Sequence, residues 1–426
     1  MGRTLNRKIG ITMMGLTVMM VGCAKSADEE TSVAAPKKLY ISAGLCYSGS
    51  GITSYTAATA SRSVTKWNSA DGSFDEVFTD LNVASSVSVG AVPQDIIDKG
   101  DHVLMLTENA TTVGDRKIWK IFKDNPGTYI SYANDPLAFS AITRSMSQGL
   151  DGSIVFSKTT AAEKINAIGA RIVKGGANAW VNSTGIAGNC FTAAASLIPK
   201  VEVMAPFTDT TQGKILYLHA GATAATNRIG AILRTGMTTA TAADCAGSSP
   251  VGGASTVVHA NAGTLLGPVS LLGTGASLTS FVYIPTPAPA VTTGKLLVTY
   301  SASVPAALDN NTNFNHGIVM WDVTEVSDTT AATSVTFTTP LIIWRDESVV
   351  FAPSAIAYDS TDNSIYVAVG GDIGAADQTA KNYGYNIEKF TLDLSTPSLT
   401  RVSTGNKPFI VGNAYTKCVS DISVGE

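Results

Sequence analysis

The sequence predicts an all-β fold in which short strands repeat in groups around a closed ring, and three observations predict it. The composition is rich in Ala, Thr, Ser and Val, with 39 Gly to make turns and only 15% charged residues, so β-branched residues outnumber good helix formers over most windows. Six times along the chain a turn is followed by an apolar strand and then by a more alternating one. The third observation is a displacement: a short strand precedes each apolar run except the first, and the strand missing there turns up at the C-terminus.

The apolar runs are KKLYISAG from Lys37, GDHVLMLT from Gly100, DGSIVFS from Asp151, GKILYLHA from Gly213, GKLLVTYS from Gly294 and NSIYVAVGG from Asn363. Most of their positions are apolar, which implies burial on both faces and a place inside a sheet sandwiched between two others. The second strands are SVTKWN from Ser63, KIWKIF from Lys117, KINAIGARI from Lys164, RIGAILR from Arg228, GIVMWDV from Gly317 and NIEKFTL from Asn386; their better alternation fits a more peripheral position. The preceding strands are PQDII from Pro93, FSAITRS from Phe139, KVEVMAP from Lys200, TSFVYIP from Thr279 and SAIAYDS from Ser354, with CVSDISV from Cys418 as the displaced member. A ring of four-stranded blades is closed in this way, because pairing the two chain ends in one sheet removes exposed edges. The reading is a six-bladed β-propeller over residues 37–426. Its first blade takes three strands from residues 37–80 and the innermost one from 418–424. The segment from about 265 to 348 is long for one blade, so a seventh blade hidden in the Gly-rich stretch from Ser248 to Gly275 is the alternative count. A pair of β-sandwiches explains less, since it gives no reason for the displaced strand.

Setting Val424 opposite Leu39 in an antiparallel pair puts Cys418 opposite Leu45, and a one-residue bulge or slip would put it opposite Cys46. The sequence leaves that register open. Directly opposed Cβ atoms lie about 4.5 to 5.5 Å apart, close to what a disulfide needs. The expectation is a Cys46–Cys418 bridge that locks the ring, contributing roughly 4 to 5 kcal/mol in the chain-entropy picture. Cys190 and Cys245 then pair by elimination, stapling the fourth blade.

The N-terminus carries Arg3, Arg7 and Lys8, then an apolar stretch from Ile9 to Val21 interrupted only by Thr12 and Thr17. That stretch falls well short of the roughly 20 residues a spanning helix needs, so residues 1–22 read as a secretory signal. It ends in Met20-Val21-Gly22-Cys23, which resembles the lipobox of bacterial lipoproteins, with Met20 where Leu is commoner. The resemblance implies lipidation at Cys23 and anchoring to the cell envelope, and Ala24 after the cysteine implies the outer membrane. Residues 23–36, AKSADEETSVAAP after the cysteine, contain no large apolar side chain and read as a flexible tether. Without residues 1–22 the chain carries 26 Lys+Arg against 33 Asp+Glu, a formal charge of −7, which makes nucleic acid and anionic surfaces poor partners.

Chemistry-bearing motifs are few. His102, His219, His259 and His316 lack metal-ligand spacing. The run Asp309-Asn310-Asn311-Thr312-Asn313 starts like a calcium loop but has Phe314 in place of the glycine and Met320 in place of the closing acid. No nucleophile elbow, phosphate loop or dinucleotide fingerprint stands in a strand-to-helix context. No metal and no cofactor is expected. The loops between the first and second strands of each group meet at one rim of a propeller channel, where ligands usually bind. Three of them are long: 45–62, 303–315 and 371–385. They are contiguous in a closed ring, and Tyr47, Tyr55, Asp309, Asn311, Asn313, Asp372, Asp377, Asn382, Tyr383 and Tyr385 form the candidate binding arc.

Over residues 37–426 the chain resembles bacterial six-bladed propellers of the broad NHL and YWTD type. The resemblance is architectural: the YWTD signature is absent, NSIYVAV is a generic inner-strand pattern, and no family residue carries over. Propeller enzymes such as the gluconolactonase-like family gather acids and amides at the channel to hold a metal. The first positions of the innermost strands here are Gln94, Ser140, Lys200, Thr279, Ser354 and Cys418, with one amide and no acid. The expectation is therefore a non-enzymatic, envelope-anchored module offering its loop rim to a protein or glycan. The alternative is a propeller hydrolase or lactonase whose metal ligands come from the loops.

Overall fold

The computed structural model describes residues 36–44, 46–47, 55–56, 61–83, 87, 90–109, 112–131, 143–148, 154–158, 161–165, 187–192, 197–203, 214–220, 228–233, 260–261, 277–286, 293–303, 314–325, 335–346, 353–370, 384–402 and 407–425. Cys23 and the segments expected to be a secretory signal and a tether, up to Ala35, lie outside them. Residues 36–426 form one compact unit.

The described strands make all-β, antiparallel, four-stranded sheets of propeller type. The first joins the two ends of the chain: β1 (Lys38–Ala43), β4 (Ser63–Asn68) and β5 (Phe74–Asp80) stand in order beside β26 (Val419–Gly425), which is the inner edge. Between β1 and β4 a two-stranded ladder pairs β2 (Cys46–Tyr47) with β3 (Tyr55–Thr56). The second sheet is β6 (Val92–Asp98), β7 (His102–Glu108), β8 (Ile118–Phe122) and β9 (Asn125–Ser131). The third is β10 (Thr143–Gln148), β11 (Ile154–Lys158), β12 (Ala161–Ile165) and β13 (Ala187–Thr192). The fourth is β14 (Leu197–Val203), β15 (Lys214–Ala220), β16 (Arg228–Leu233) and β17 (Ala260–Asn261). The fifth is β18 (Ser277–Pro285), β19 (Thr293–Ser303), β20 (Phe314–Glu325) and β21 (Val335–Asp346). The last is β22 (Ala355–Asp359), β23 (Ser364–Gly370), β24 (Gly384–Asp393) and β25 (Ser398–Arg401).

The inner strands touch in cyclic order: β6 meets β10, β10 meets β14, β14 meets β18, β18 meets β22, β22 meets β26, and β26 returns to β6. The cores lie between neighbouring sheets, which is why the apolar runs are buried on both faces. Leu39 and Ile41 of β1 pack with Ala355, Tyr366 and Ile387 of the last sheet. Tyr40, the residue between them, packs on the opposite side with Ile96, Val103 and Trp119 of the second. The fifth and last sheets share a further core built on Leu297, Ile318, Ile365 and Phe390.

The closing pair runs in the expected register at first, with Leu39 opposite Val424 and Ile41 opposite Ile422. A bulge then intervenes, so that Ala43 faces Val419 rather than Ser420. The bulge takes up its extra residue in β26, opposite in sense to the slip that would set Cys418 against Cys46. Gly44 N–H instead donates to the Cys418 carbonyl at 3.0 Å. Cys418 adopts φ 63°, a left-handed conformation that suits this abrupt entry into the strand.

Two strands start before their expected bounds: β12 at Ala161 rather than Lys164 and β14 at Leu197 rather than Lys200. β10 is described from Thr143, and residues 139–142 and the part of KINAIGARI after Ile165 lie outside the described residues. Short runs of small residues flank each of them, so the alternation there does not mark a boundary. The unusual length of the 265–348 segment is taken up by strands of 11 and 12 residues in the fifth sheet. Within the Ser248–Gly275 stretch only Ala260–Asn261 is described, and it pairs with β16.

Candidate functional site

The inner strand of each sheet has a ladder partner on one side only, which leaves backbone N–H groups facing the middle of the ring. At four junctions a side chain from the preceding sheet accepts from one of them. Asp421 Oδ2 on β26 accepts from Ile96 N–H of β6 at 3.3 Å, and Asp95 Oδ2 on β6 accepts from Met146 N–H of β10 at 2.9 Å. Ser145 Oγ on β10 accepts from Val201 N–H of β14 at 3.4 Å, and Glu202 Oε2 on β14 accepts from Tyr283 N–H of β18 at 3.1 Å. At the return junction Ser354 Oγ, one residue before β22, donates to the Val419 carbonyl of β26 at 2.7 Å.

These strands enclose a cavity of about 550 Å³, a volume suited to a small molecule. Residues of the described inner strands β6, β10, β14, β18, β22 and β26 line it, among them Asp95, Lys200, Glu202 and Asp421 on the charged side and Phe281, Val282 and Ile356 from the fifth and last sheets. Lys200 and Glu202 are two residues apart on β14 and therefore share a face. Lys200 Nζ lies 3.3 Å from Asp421 Oδ1, in a bridge whose side chains are 17% and 7% exposed.

Electrostatics couples the group. Burial raises the Asp95 carboxyl well above the usual carboxylate range, the neighbouring Asp421 charge raises it further, and Lys200 and the Met146 N–H offset only part of this. Burial works to lower the Lys200 ammonium, but Asp421 and Asp95 outweigh it and hold it above the ordinary lysine value. Glu202 is pushed up to about 7, first by burial, with Lys200 and the Tyr283 N–H pulling the other way. At neutral pH the cluster thus sits close to a protonation change.

The channel carries acids that the first strand positions did not reveal. Of the six residues expected to face it, Lys200 lines the cavity, whereas Gln94, Thr279, Ser354 and Cys418 do not, and Ser140 lies outside the described residues. Asp95, Glu202 and Asp421 stand one, two and three residues further along their strands. Bulges at Pro93/Asp95 and Ser42/Ala43 shift the facing parity around β6 and β26, so counting from the strand start fails for Asp95 and Asp421, whereas Glu202 keeps the parity of Lys200 and lies one step deeper on the same face. Reading every charged residue in a buried inner strand would have found all three.

Of the expected arc, Asp309, Asn311, Asn313, Asp372, Asp377, Asn382 and Tyr383 lie outside the described residues. Tyr47 and Tyr55 are direct partners across the β2–β3 ladder, and Cys46 pairs with Thr56. Tyr385 falls at the start of β24. Cys190 belongs to β13, the outermost strand of the third sheet, which corrects its assignment to the fourth; Cys245 lies outside the described residues. Among the described residues no group of three or more His, Cys, Asp or Glu is arranged to hold a metal ion.

No family model matches the chain, and no curated protein matches it. Among solved structures it is similar to a protein of unknown function from Bacteroides caccae, at 9% identity and a TM-score of 0.43, covering 92% of this chain and 99% of that one. It is also similar to the extracellular domain of a hybrid two-component system from Bacteroides thetaiotaomicron, at 7% identity and a TM-score of 0.42, covering 92% of this chain and 38% of that one. A third is the β-propeller domain of Cps50 (Swd1) from Myceliophthora thermophila, at 9% identity and a TM-score of 0.31, covering 75% and 88%. The propeller assignment rests on the sheet topology of this chain itself.

Proposed function

We propose that the protein is a non-enzymatic binding module of the bacterial cell envelope: a six-bladed disc, lipid-anchored at Cys23, that offers its loop rim to a protein or glycan. The observation that carries this reading is the use made of the channel charges. Asp421, Asp95 and Glu202 each spend an oxygen on a backbone N–H of the next sheet, so they act as locks between sheets. A ring held in this way is a rigid platform whose variable part is its loops. The β2–β3 ladder supports the arc, because it gives the first long loop its own paired structure with Tyr47 opposite Tyr55. A Cys46–Cys418 crosslink completes the closure; it is supported by the burial of Cys418 and by the hydrogen bond from Gly44 N–H, two residues before Cys46, to the Cys418 carbonyl.

The test replaces Tyr47, Tyr55, Asp372 and Tyr385 together by alanine in the anchored protein and compares envelope material co-purified with it against the parent. Loss of specific partners by this variant, with retention by a variant altered on exposed Lys99 and Asp101, is the expected result. An unchanged partner set removes the arc. Palmitate labelling lost in C23A checks the anchor, and non-reducing peptide mapping checks the crosslink.

A further inference from the structure

We propose that the channel cavity binds a small primary ammonium compound with an apolar body, its charge held by Glu202. The reading is independent of the rim, which lies on the loops. The cavity's volume of about 550 Å³ would take such a molecule, and its lining is two-sided. Charge is confined to β6, β14 and β26, while β18 and β22 bring Phe281, Val282 and Ile356.

Cation rather than anion follows from how the charges are already matched. Lys200 is offset by Asp421 at 3.3 Å and by Asp95 beyond it. Lys200 acts on Glu202 only at longer range, with no salt bridge between them among the described residues: Glu202 Oε2 accepts the Tyr283 N–H, and among the described residues Oε1 receives no hydrogen bond. An ammonium at Oε1 would supply a closely placed positive charge and three donors, and a charge-assisted bond in a partly buried site is stronger than a neutral one. Burial keeps Glu202 near its titration point, and a bound cation would shift it to the carboxylate. The groups that face it are Lys200 on its own strand, Asp95 from β6 with Lys99 just beyond that strand, and Asp421 from β26. β10 contributes Ser147 and Gln148, β18 Phe281 and Val282, and β22 Tyr358.

The experiment titrates the purified full chain with n-butylammonium, butanoate and 1-butanol, followed by ligand-observed NMR and calorimetry. Butylammonium should bind at pH 7.5 while the other two do not. E202Q keeps the acceptor for the Tyr283 N–H, so it should fold, and it should lose at least ten-fold in affinity. In the parent, affinity should fall roughly ten-fold for each pH unit below about 7, as Glu202 is protonated. Equal binding of butanoate or butanol, an unchanged affinity in E202Q, or a flat pH profile from 7.5 to 5.5 would each overturn the proposal.

Discussion

Replacing Asp421 by alanine is the most direct test of the idea that channel charges hold the ring together. Asp421 comes from the last strand of the chain, yet it contacts Ile96 N–H of the second sheet and Lys200 of the fourth. Its removal leaves a backbone donor unsatisfied and a buried ammonium without its nearest partner. Breaking one partner out of a buried ion pair costs about 3–5 kcal/mol, most of it the penalty of the stranded charge. For a unit the size of residues 36–426 the unfolding entropy is about 0.8 kcal/mol/K, so the loss corresponds to a fall of about 4–6 °C in Tm. D421N keeps an acceptor for the Ile96 N–H and should lose less than D421A. K200M/D421A removes both charges and should recover about 2 kcal/mol relative to D421A. Differential scanning calorimetry of the four proteins, backed by urea titration, measures these differences. If D421A melts within 1 °C of the parent, or if K200M brings no recovery, the bridge is not a lock and the account of the channel fails.

Two further outcomes are expected. The pKa of Glu202, raised to about 7 in the folded chain, means that the native state binds a proton the unfolded state has already released. The associated stability is present in full below about pH 4.5 and is lost as pH rises through about 7; Asp95, raised in the same direction, adds to the trend. A shift of this size corresponds to at most about 3 kcal/mol, and less because Glu202 borders a cavity that water can enter. Urea midpoints measured from pH 5 to 8 should therefore fall with pH in the parent and fall less in E202Q; a parallel fall in both would contradict the assignment. Gly44→Ala should be severe, because a Cβ there would collide with the Pro93 carbonyl and with Gln94 Nε2 where the end of β1 meets β6. Backbone cannot yield as a side-chain tip can, so a loss of at least about 2 kcal/mol in urea titration is expected; a loss under 0.5 kcal/mol would show that the two segments are not held together.

The order of strands was legible in the residues because burial on both faces leaves a plain mark: LYISA, VLMLT and LLVTY have few polar positions to confuse the period. The union of the two chain ends was legible for a different reason, since a repeat that lacks one strand at its start and carries one in excess at its end has few other solutions. Boundaries were less secure where Ala, Thr and Ser dominate, as around β10, β12 and β14, because small residues are tolerated on either face and in turns alike. The channel site belonged to the tertiary structure. Asp95, Glu202 and Asp421 are far apart in the chain, and each looks in isolation like an ordinary polar residue on an alternating strand. Only the bulges that reset facing parity, and the cyclic packing that brings β6, β14 and β26 around one cavity, set their charges against one another and against Lys200. Sequence period decides which residues can be inside, and the geometry of the ring decides which of them meet.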